Sequence, residues 1–81
     1  MYATEGSWAG GICGRSMYSY ATKRAAIAAC RARIGRLAHE INVGHGSMYV
    51  VTEDGNRIDG YRFSSDDNYR IRRVEREMLA L

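Results

Sequence analysis

Two cysteines and two histidines are the side chains of this 81-residue chain that are best suited to metal binding or covalent catalysis. Their spacing matches no zinc-binding pattern, and no serine or cysteine has a base and an orienting acid at a recognised spacing. Residues 9–16 read AGGICGRS and are loosely similar to a phosphate-binding loop, but Ala9 replaces its first glycine and Arg15 its lysine. The sequence therefore predicts a protein that is not an enzyme, with no catalytic residue, no metal site and no cofactor. The four side chains in question are Cys13, Cys30, His39 and His45.

Arginine is the residue type that this chain offers in quantity for binding, since Lys23 is the only lysine among 12 basic residues. A guanidinium group can donate two parallel hydrogen bonds to a carboxylate or a phosphate. Eight arginines form two groups, one in a predicted helix and one in the C-terminal tail, and we expect both groups to bind a partner. The helix group is Arg24, Arg31, Arg33 and Arg36, and the tail group is Arg70, Arg72, Arg73 and Arg76.

Charge is polarised along the chain rather than uniformly basic. Residues 21–41 carry a net charge of +4, residues 42–68 carry −3 and residues 69–81 carry +2. A nonspecific nucleic-acid binder needs arginines aligned along a phosphate track, whereas a protein binder needs complementary patches anchored by arginine and tyrosine. The pattern favours a protein complex as the partner, with nucleic acid as the alternative. A solvated face with intrahelical pairs such as Arg36 with Glu40 is the simplest other interpretation.

Residues 21–41, ATKRAAIAACRARIGRLAHEI, have the pattern of an amphipathic helix. Six apolar positions fall within a stripe of about 100°, the width expected of a helix that packs on a core. Thr22 is placed to cap the start of the helix, and Gly44 and Gly46 favour its end. The first two arginines of the helix group lie on one flank of the stripe, and the last two lie on the other flank or beyond it. The stripe consists of Ile27, Cys30, Ile34, Leu37, Ala38 and Ile41.

Residues 47–63 predict a β-hairpin with strands 47–52 and 57–63 and an Asp54-Gly55 turn. Apolar residues occupy both parities of the MYVV stretch, which indicates either a strand that is covered on both faces or a bulge near Gly60. A second hairpin is predicted in residues 1–20, with the turn at Glu5-Gly6-Ser7. Its strands carry Tyr2, Thr4, Trp8 and Ile12.

The C-terminal tail is compatible with a helix or an edge strand. Ser64 or Ser65, followed by two aspartates, is typical of a helix start. Ile71, Val74, Met78 and Leu81 keep helical spacing, although Tyr69, Ile71 and Val74 would also suit an edge strand. The helix is slightly favoured.

These elements predict an α+β fold in a single domain spanning residues 1–81. Its core is a four-stranded antiparallel sheet of ββαββ order, with one main amphipathic helix and a C-terminal helix or edge strand. One helix covers only one sheet face, so we expect the tail or a homodimer partner to cover the other.

Three stretches carry a resemblance to small phage- and bacterium-encoded ββαββ proteins: Trp8 after an acidic-glycine turn, ATKRAAIAAC at 21–30 and MYVVTEDGNRIDGYRF at 48–63. Their layout is similar to that of anti-CRISPR inhibitors, and the resemblance implies binding to a Cas effector complex that blocks its loading on DNA. The first half also resembles the arm-binding domain of phage integrases, which implies a DNA-binding accessory protein as the alternative. An oligomeric structural protein is the third interpretation.

No apolar segment approaches the roughly 20 residues of a membrane span, so we expect no membrane partner. No signal-peptide pattern opens the chain, and the cysteines are not closely paired. The sequence therefore predicts a cytoplasmic protein with reduced thiols, in the host bacterium if it is phage-encoded.

Overall fold

The computed structural model describes residues 1–8, 11–15, 19–40 and 44–80, without the side chains of residues 8, 11–15 and 40. Predictions that concern the side chains of Trp8, Ile12, Cys13, Glu40, Ile41 and Leu81 therefore lie outside the described part of the chain. In chain order the elements are strands β1 (Tyr2–Trp8) and β2 (Gly11–Arg15), helix α1 (Lys23–Glu40), strands β3 (His45–Thr52) and β4 (Arg57–Ser64), a short 3₁₀ helix (Ser65–Asp67), strand β5 (Arg72–Arg73) and helix α2 (Arg76–Leu79).

The predicted α+β fold is confirmed. Strands β1 to β4 form an antiparallel sheet, and the two-residue strand β5 extends it, so that the spatial order is β2-β1-β3-β4-β5. Helix α1 follows β2 and packs against β1, β3 and β4. Within the described part of the chain, no helix is long and apolar enough to cross a membrane.

The predicted stripe of α1 is its buried face. Cys30 and Ile34 are fully buried, while Ile27, Leu37 and Ala38 are partly buried against the same core. Ala26, which the sequence marked only as a helix former, is buried as well. The backbone N–H of Ala25 donates to Thr22 Oγ1 at 3.1 Å, which confirms the predicted cap. On the sheet, the core is completed by Met48, Val50 and Phe63.

The predicted β3–β4 hairpin is confirmed, and its turn includes Gly55 with φ of 85°. Val50 pairs with Asp59 but Val51 pairs with Arg57, so Ile58 is the extra residue of a bulge. The bulge lies two residues before the predicted position. Strand β3 is also covered on both faces, because Met48 and Val50 are buried towards α1 while Tyr49 and Val51 are buried on the opposite face.

The predicted N-terminal hairpin is confirmed, but the predicted position of its turn is wrong. Glu5, Gly6 and Ser7 lie inside β1, where they pair with Tyr49, Met48 and Ser47 of β3. The glycine marks a shift in register with β2 between Gly6 and Ser7 rather than a chain reversal.

Both alternatives for the tail occur, each as a short element. Ser64 caps the 3₁₀ helix, with its hydroxyl accepting from the N–H of Asp66, and the edge strand and the one-turn helix follow. Helix α2 contacts β4, and the N–H of Val74 donates to the carbonyl of Gly60 at 3.1 Å. Arg62, which points away from α1, pairs with Glu75 at 2.6 Å. The tail therefore reaches the second sheet face at β4 through this ion pair, while Ile71 packs against the core on the side of α1. That the tail covers the second face stays a prediction.

The buried thiol of Cys30 predicts a specific loss of stability at alkaline pH. Burial and, to a smaller extent, the charge of nearby Asp59 together raise the pKa of Cys30 to about 12, and the thiol donates to the carbonyl of Met48 at 3.2 Å. The neutral thiol is therefore favoured in the folded state, and this stabilisation is complete below pH 9 and is lost between pH 9 and 12. We expect the free energy of unfolding to fall by about 1.4 kcal/mol more in the native protein than in C30A between pH 8 and 10. Urea unfolding at the two pH values measures this difference, and an equal loss in both proteins would contradict it.

Candidate functional site

The ring of Tyr61 in β4 brings the two predicted arginine groups together. The guanidinium carbon of Arg31 in α1 lies 5.9 Å from the ring centroid, and that of Arg73 in β5 lies 6.0 Å from it. Both distances are within the range of cation–π attraction. Arg31 lies close to Gly35, since its Nη1 atom is 3.2 Å from where a Cβ at that position would be. We call Arg31, Tyr61, Arg73 and Asp59 the Tyr61 cluster.

Asp59 fixes the position of Arg73 in this cluster. Asp59 is 8 % exposed as a residue, and its carboxylate accepts from Arg73 Nε at 3.1 Å, while Arg73 Nη2 donates to the other oxygen. Burial alone would raise the pKa of Asp59, but hydrogen bonds from Arg73 and from the N–H of Gly60 outweigh burial and hold it below its ordinary value. Asp59 is therefore a charged anchor for β5, and Arg73 contributes less net positive charge to the surface than an unpaired arginine would.

Ion pairs within the molecule remove much of the charge polarity that the sequence shows. Three arginines of β4 and the tail pair with acids: Arg62 with Glu75, Arg72 with Asp67, and Arg73 with Asp59. All three pairs join the tail to the 42–68 segment, and in two of them the tail supplies the arginine. Outside residues 21–41 the chain carries a net charge of −1, against +4 within them. The positive excess is therefore concentrated on α1.

The four arginines of the helix group occupy two sides of α1, as the helical wheel predicted. Arg24 and Arg31 are exposed and stand two turns apart, on the side of α1 that faces the Tyr61 cluster. Arg33 points the other way and donates to the hydroxyl of Thr4 in β1. Arg36 is exposed on the side of Arg33. The helix therefore presents Arg24 and Arg31 to the cluster and directs Arg33 towards β1, while Arg36 remains exposed on the side of Arg33.

The tail group is also divided. Arg72 is bound to Asp67 through two hydrogen bonds, and its guanidinium lowers the pKa of that carboxyl. Arg70 is exposed next to this pair, and Arg76 is exposed on α2. Of these four arginines, only Arg73 lies beside the Tyr61 ring, which Arg31 of the helix group also approaches.

An exposed aromatic side chain lies near the cluster. Tyr69 is 39 % exposed, and its ring centroid is 6.1 Å from that of Phe63, which lies two residues beyond Tyr61 on β4. Its φ of 58°, in the left-handed region, follows Asn68 at 55°. A bulky residue rarely adopts this conformation, which costs of the order of 1–3 kcal/mol. The surface beside the Tyr61 cluster therefore includes a tyrosine held at some energetic cost.

Sequence reasoning identified Arg31 and Arg73 but not the two residues that unite them. Tyr61 and Asp59 were assigned only to a strand, because the bulge at Ile58 sets which β4 residues face α1. Asp59 and Tyr61 are two residues apart on β4, so they face the same side of the sheet. A correct register would have placed both of them between the arginines of α1 and β5.

The described residues offer little for covalent or metal chemistry. They contain no group of three or more histidine, cysteine, aspartate or glutamate side chains that could hold a metal ion. His39 and His45 are exposed, and Cys30 is buried with its pKa raised. The loop-like stretch at 9–16 lies outside the described side chains. What the described site can do is hold an anionic surface by hydrogen bonding and stacking.

No family model, curated protein or solved structure matches this chain. Function is therefore inferred from the geometry described above.

Proposed function

We propose that this protein is a non-catalytic binding module that docks onto an acidic protein surface through the Tyr61 cluster and the adjoining side of α1. One observation carries the proposal: the ring of Tyr61 lies within cation–π distance of Arg31 from α1 and of Arg73 from β5. Arg31 supplies a guanidinium that no carboxylate among the described residues binds, next to a rigid aromatic ring. Arginine beside tyrosine is the composition of energetically dominant positions in protein interfaces.

A protein partner is favoured over nucleic acid by where the arginines lie. A phosphate backbone requires several cations aligned along one track. Here Arg24 and Arg31 lie on one side of α1, Arg33 and Arg36 lie on the other, and Arg62, Arg72 and Arg73 are paired with acids. A small, mixed-charge patch with an aromatic centre suits a folded protein surface better than a long polyanion.

We propose that the partner is a bacterial CRISPR effector complex, and that binding of this protein prevents the complex from binding nucleic acid. Support comes from the resemblance of residues 1–63 to small phage-encoded inhibitors and from the basic character of the α1 surface. The inhibitor would occupy an acidic surface of the complex, in the host cytoplasm, without chemical change to either protein.

Reversing charge at Arg24 and Arg31 tests the site. Binding of R24E/R31E to immobilised CRISPR effector complexes, measured by biolayer interferometry, is expected to be at least about tenfold weaker than binding of the native protein. The matched control is R36E/R76E, which changes net charge equally at two exposed positions that are not part of the Tyr61 cluster and is expected to bind within about threefold of the native protein. Equal weakening by both variants would mean that net charge, rather than this site, governs binding.

Fluorescence anisotropy with duplex and single-stranded DNA separates the alternatives. We expect no binding at physiological salt. Tight binding that falls steeply with salt would instead support the DNA-binding accessory protein. A mass that rises with concentration, without binding to DNA or effector complexes, would support the oligomeric structural protein.

A further inference from the structure

A groove on the sheet face opposite α1 is lined by polar and charged residues from three strands. Its volume is about 210 Å³, and it is open to solvent. Strand β1 contributes Glu5, Gly6 and Ser7, β3 contributes Tyr49, and β4 contributes Arg57. The groove does not include any residue of the Tyr61 cluster, so it is a separate feature of the molecule.

Arg57 is held over this groove by stacking. Its guanidinium carbon lies 4.0 Å from the centroid of the Tyr49 ring, and Tyr49 is itself buried against Gly60. Stacking engages the face of the guanidinium and leaves its N–H groups, which lie in its plane, free to donate sideways. Arg57 is half-buried, and no carboxylate of the described residues lies within ion-pair distance of it. A fixed, half-buried guanidinium of this kind is a ready donor for a carboxylate.

Glu5 supplies a charge of the opposite sign in the same groove. It is half-buried and is the direct cross-strand neighbour of Tyr49. Although Glu5 and Arg57 line one groove, they do not form an ion pair with each other. The other cross-strand neighbour of Glu5 is Arg15 of β2, whose side chain is not among those described. The hydroxyl of Ser7 adds a neutral donor and acceptor beside Glu5.

We propose that this groove binds a compact zwitterion of the α-amino-acid type, with its carboxylate on Arg57 and its ammonium group on Glu5. The separate charges of Arg57 and Glu5 complement a ligand whose carboxylate and ammonium groups lie a few bonds apart. A ligand with only one charged group would pair with only one of the two side chains. The volume of about 210 Å³ is below the range of about 300–1,000 Å³ that is typical of pockets for drug-sized ligands, so the groove suits one amino acid better than a peptide. The site is independent of the proposed protein-binding function.

Backbone amide NMR provides the test. Pools of the standard L-amino acids, then single members, are titrated at constant pH and ionic strength, with acetate and methylammonium as fragments that carry only one of the two charges. We expect saturable shifts centred on Gly6, Ser7, Tyr49 and Arg57 for at least one amino acid. We also expect its affinity to exceed that of acetate at least about fivefold.

Three variants make the assignment specific. R57Q is expected to weaken binding at least about tenfold, because it removes the charged donor, while R36Q makes the same charge change on α1 and leaves affinity unchanged. R57K keeps the charge but loses the planar fork, and we expect a partial loss. E5Q is expected to abolish the preference over acetate. Absence of saturable shifts, equal affinity for acetate, or equal binding by R57Q and the native protein would each overturn the proposal.

Discussion

Replacing Gly60 with alanine is expected to destabilise the protein by about 2–3 kcal/mol. A Cβ at this position would lie 2.7 Å from the carbonyl oxygen of Met48 and 2.9 Å from Tyr49 Cδ1. The first of these atoms belongs to the backbone of the central strand β3 and cannot move without shifting the hairpin. The second belongs to a ring that is buried and stacked under Arg57. Thermal unfolding monitored by circular dichroism should show a melting temperature lower by roughly 10 °C or more.

Gly44 offers the matched control for this substitution. It is exposed, and among the described residues a Cβ there would meet only the Ser65 hydroxyl oxygen, at an ordinary contact distance of 3.8 Å. G44A should therefore change the melting temperature little. A G60A variant that melts with G44A would show that β3 and β4 separate more easily than their geometry indicates.

The close approach at Gly60 also shows where sequence reasoning reaches its limit. The two hairpins, the helix and its cap were predicted, because each depends on residues near one another in the chain: Asp54-Gly55 for a turn, Thr22 for a helix start. The bulge at Ile58 depends on how β4 pairs with β3, and the pattern of apolar residues placed it only approximately. Register then decides which side chains of β4 face α1 and which face the groove.

The N-terminal strand illustrates a different limit. Glu5-Gly6-Ser7 has the composition of a turn, yet it lies in a strand paired on both sides. Pairing with two neighbouring strands satisfies its backbone hydrogen-bonding groups, and this tertiary benefit outweighs the local preference of glycine for turns. Glu5 and Ser7 consequently line a groove that local reasoning did not predict.

The candidate site was predicted only in part for a related reason. Arginine content and its grouping are visible in the sequence, but intramolecular ion pairs depend on which elements meet. Arg72 and Arg73 form ion pairs with Asp67 and Asp59, whereas Arg31 forms no ion pair with an acid among the described residues. The distribution of unpaired charge is thus a property of the fold rather than of the sequence.

Removing the tail by ending the chain after Phe63 is expected to abolish cooperative unfolding or to cause aggregation. The tail contributes Ile71, which packs on the core, and Tyr69, which stacks with Phe63. It also supplies strand β5, the Val74 hydrogen bond to Gly60 and the contact of α2 with β4. Losses of this kind sum to several kcal/mol, a large share of the roughly 5–15 kcal/mol that stabilises a small domain. Thermal unfolding with light scattering measures both outcomes.

A full-length variant distinguishes the contribution that the ion pairs of the tail make to stability from the contribution of its apolar packing. R62Q/R72Q keeps the apolar side chains of the tail and removes two ion pairs whose partners are partly exposed, so we expect it to unfold cooperatively with a small loss of stability. If the truncated chain instead melts like the full-length protein, the tail has no role in the core. Size-exclusion chromatography with light scattering then distinguishes two explanations. A dimeric truncated chain would mean that a second copy covers the face the tail has left, and a monomeric one would mean that β1 to β4 and α1 form a sufficient core alone.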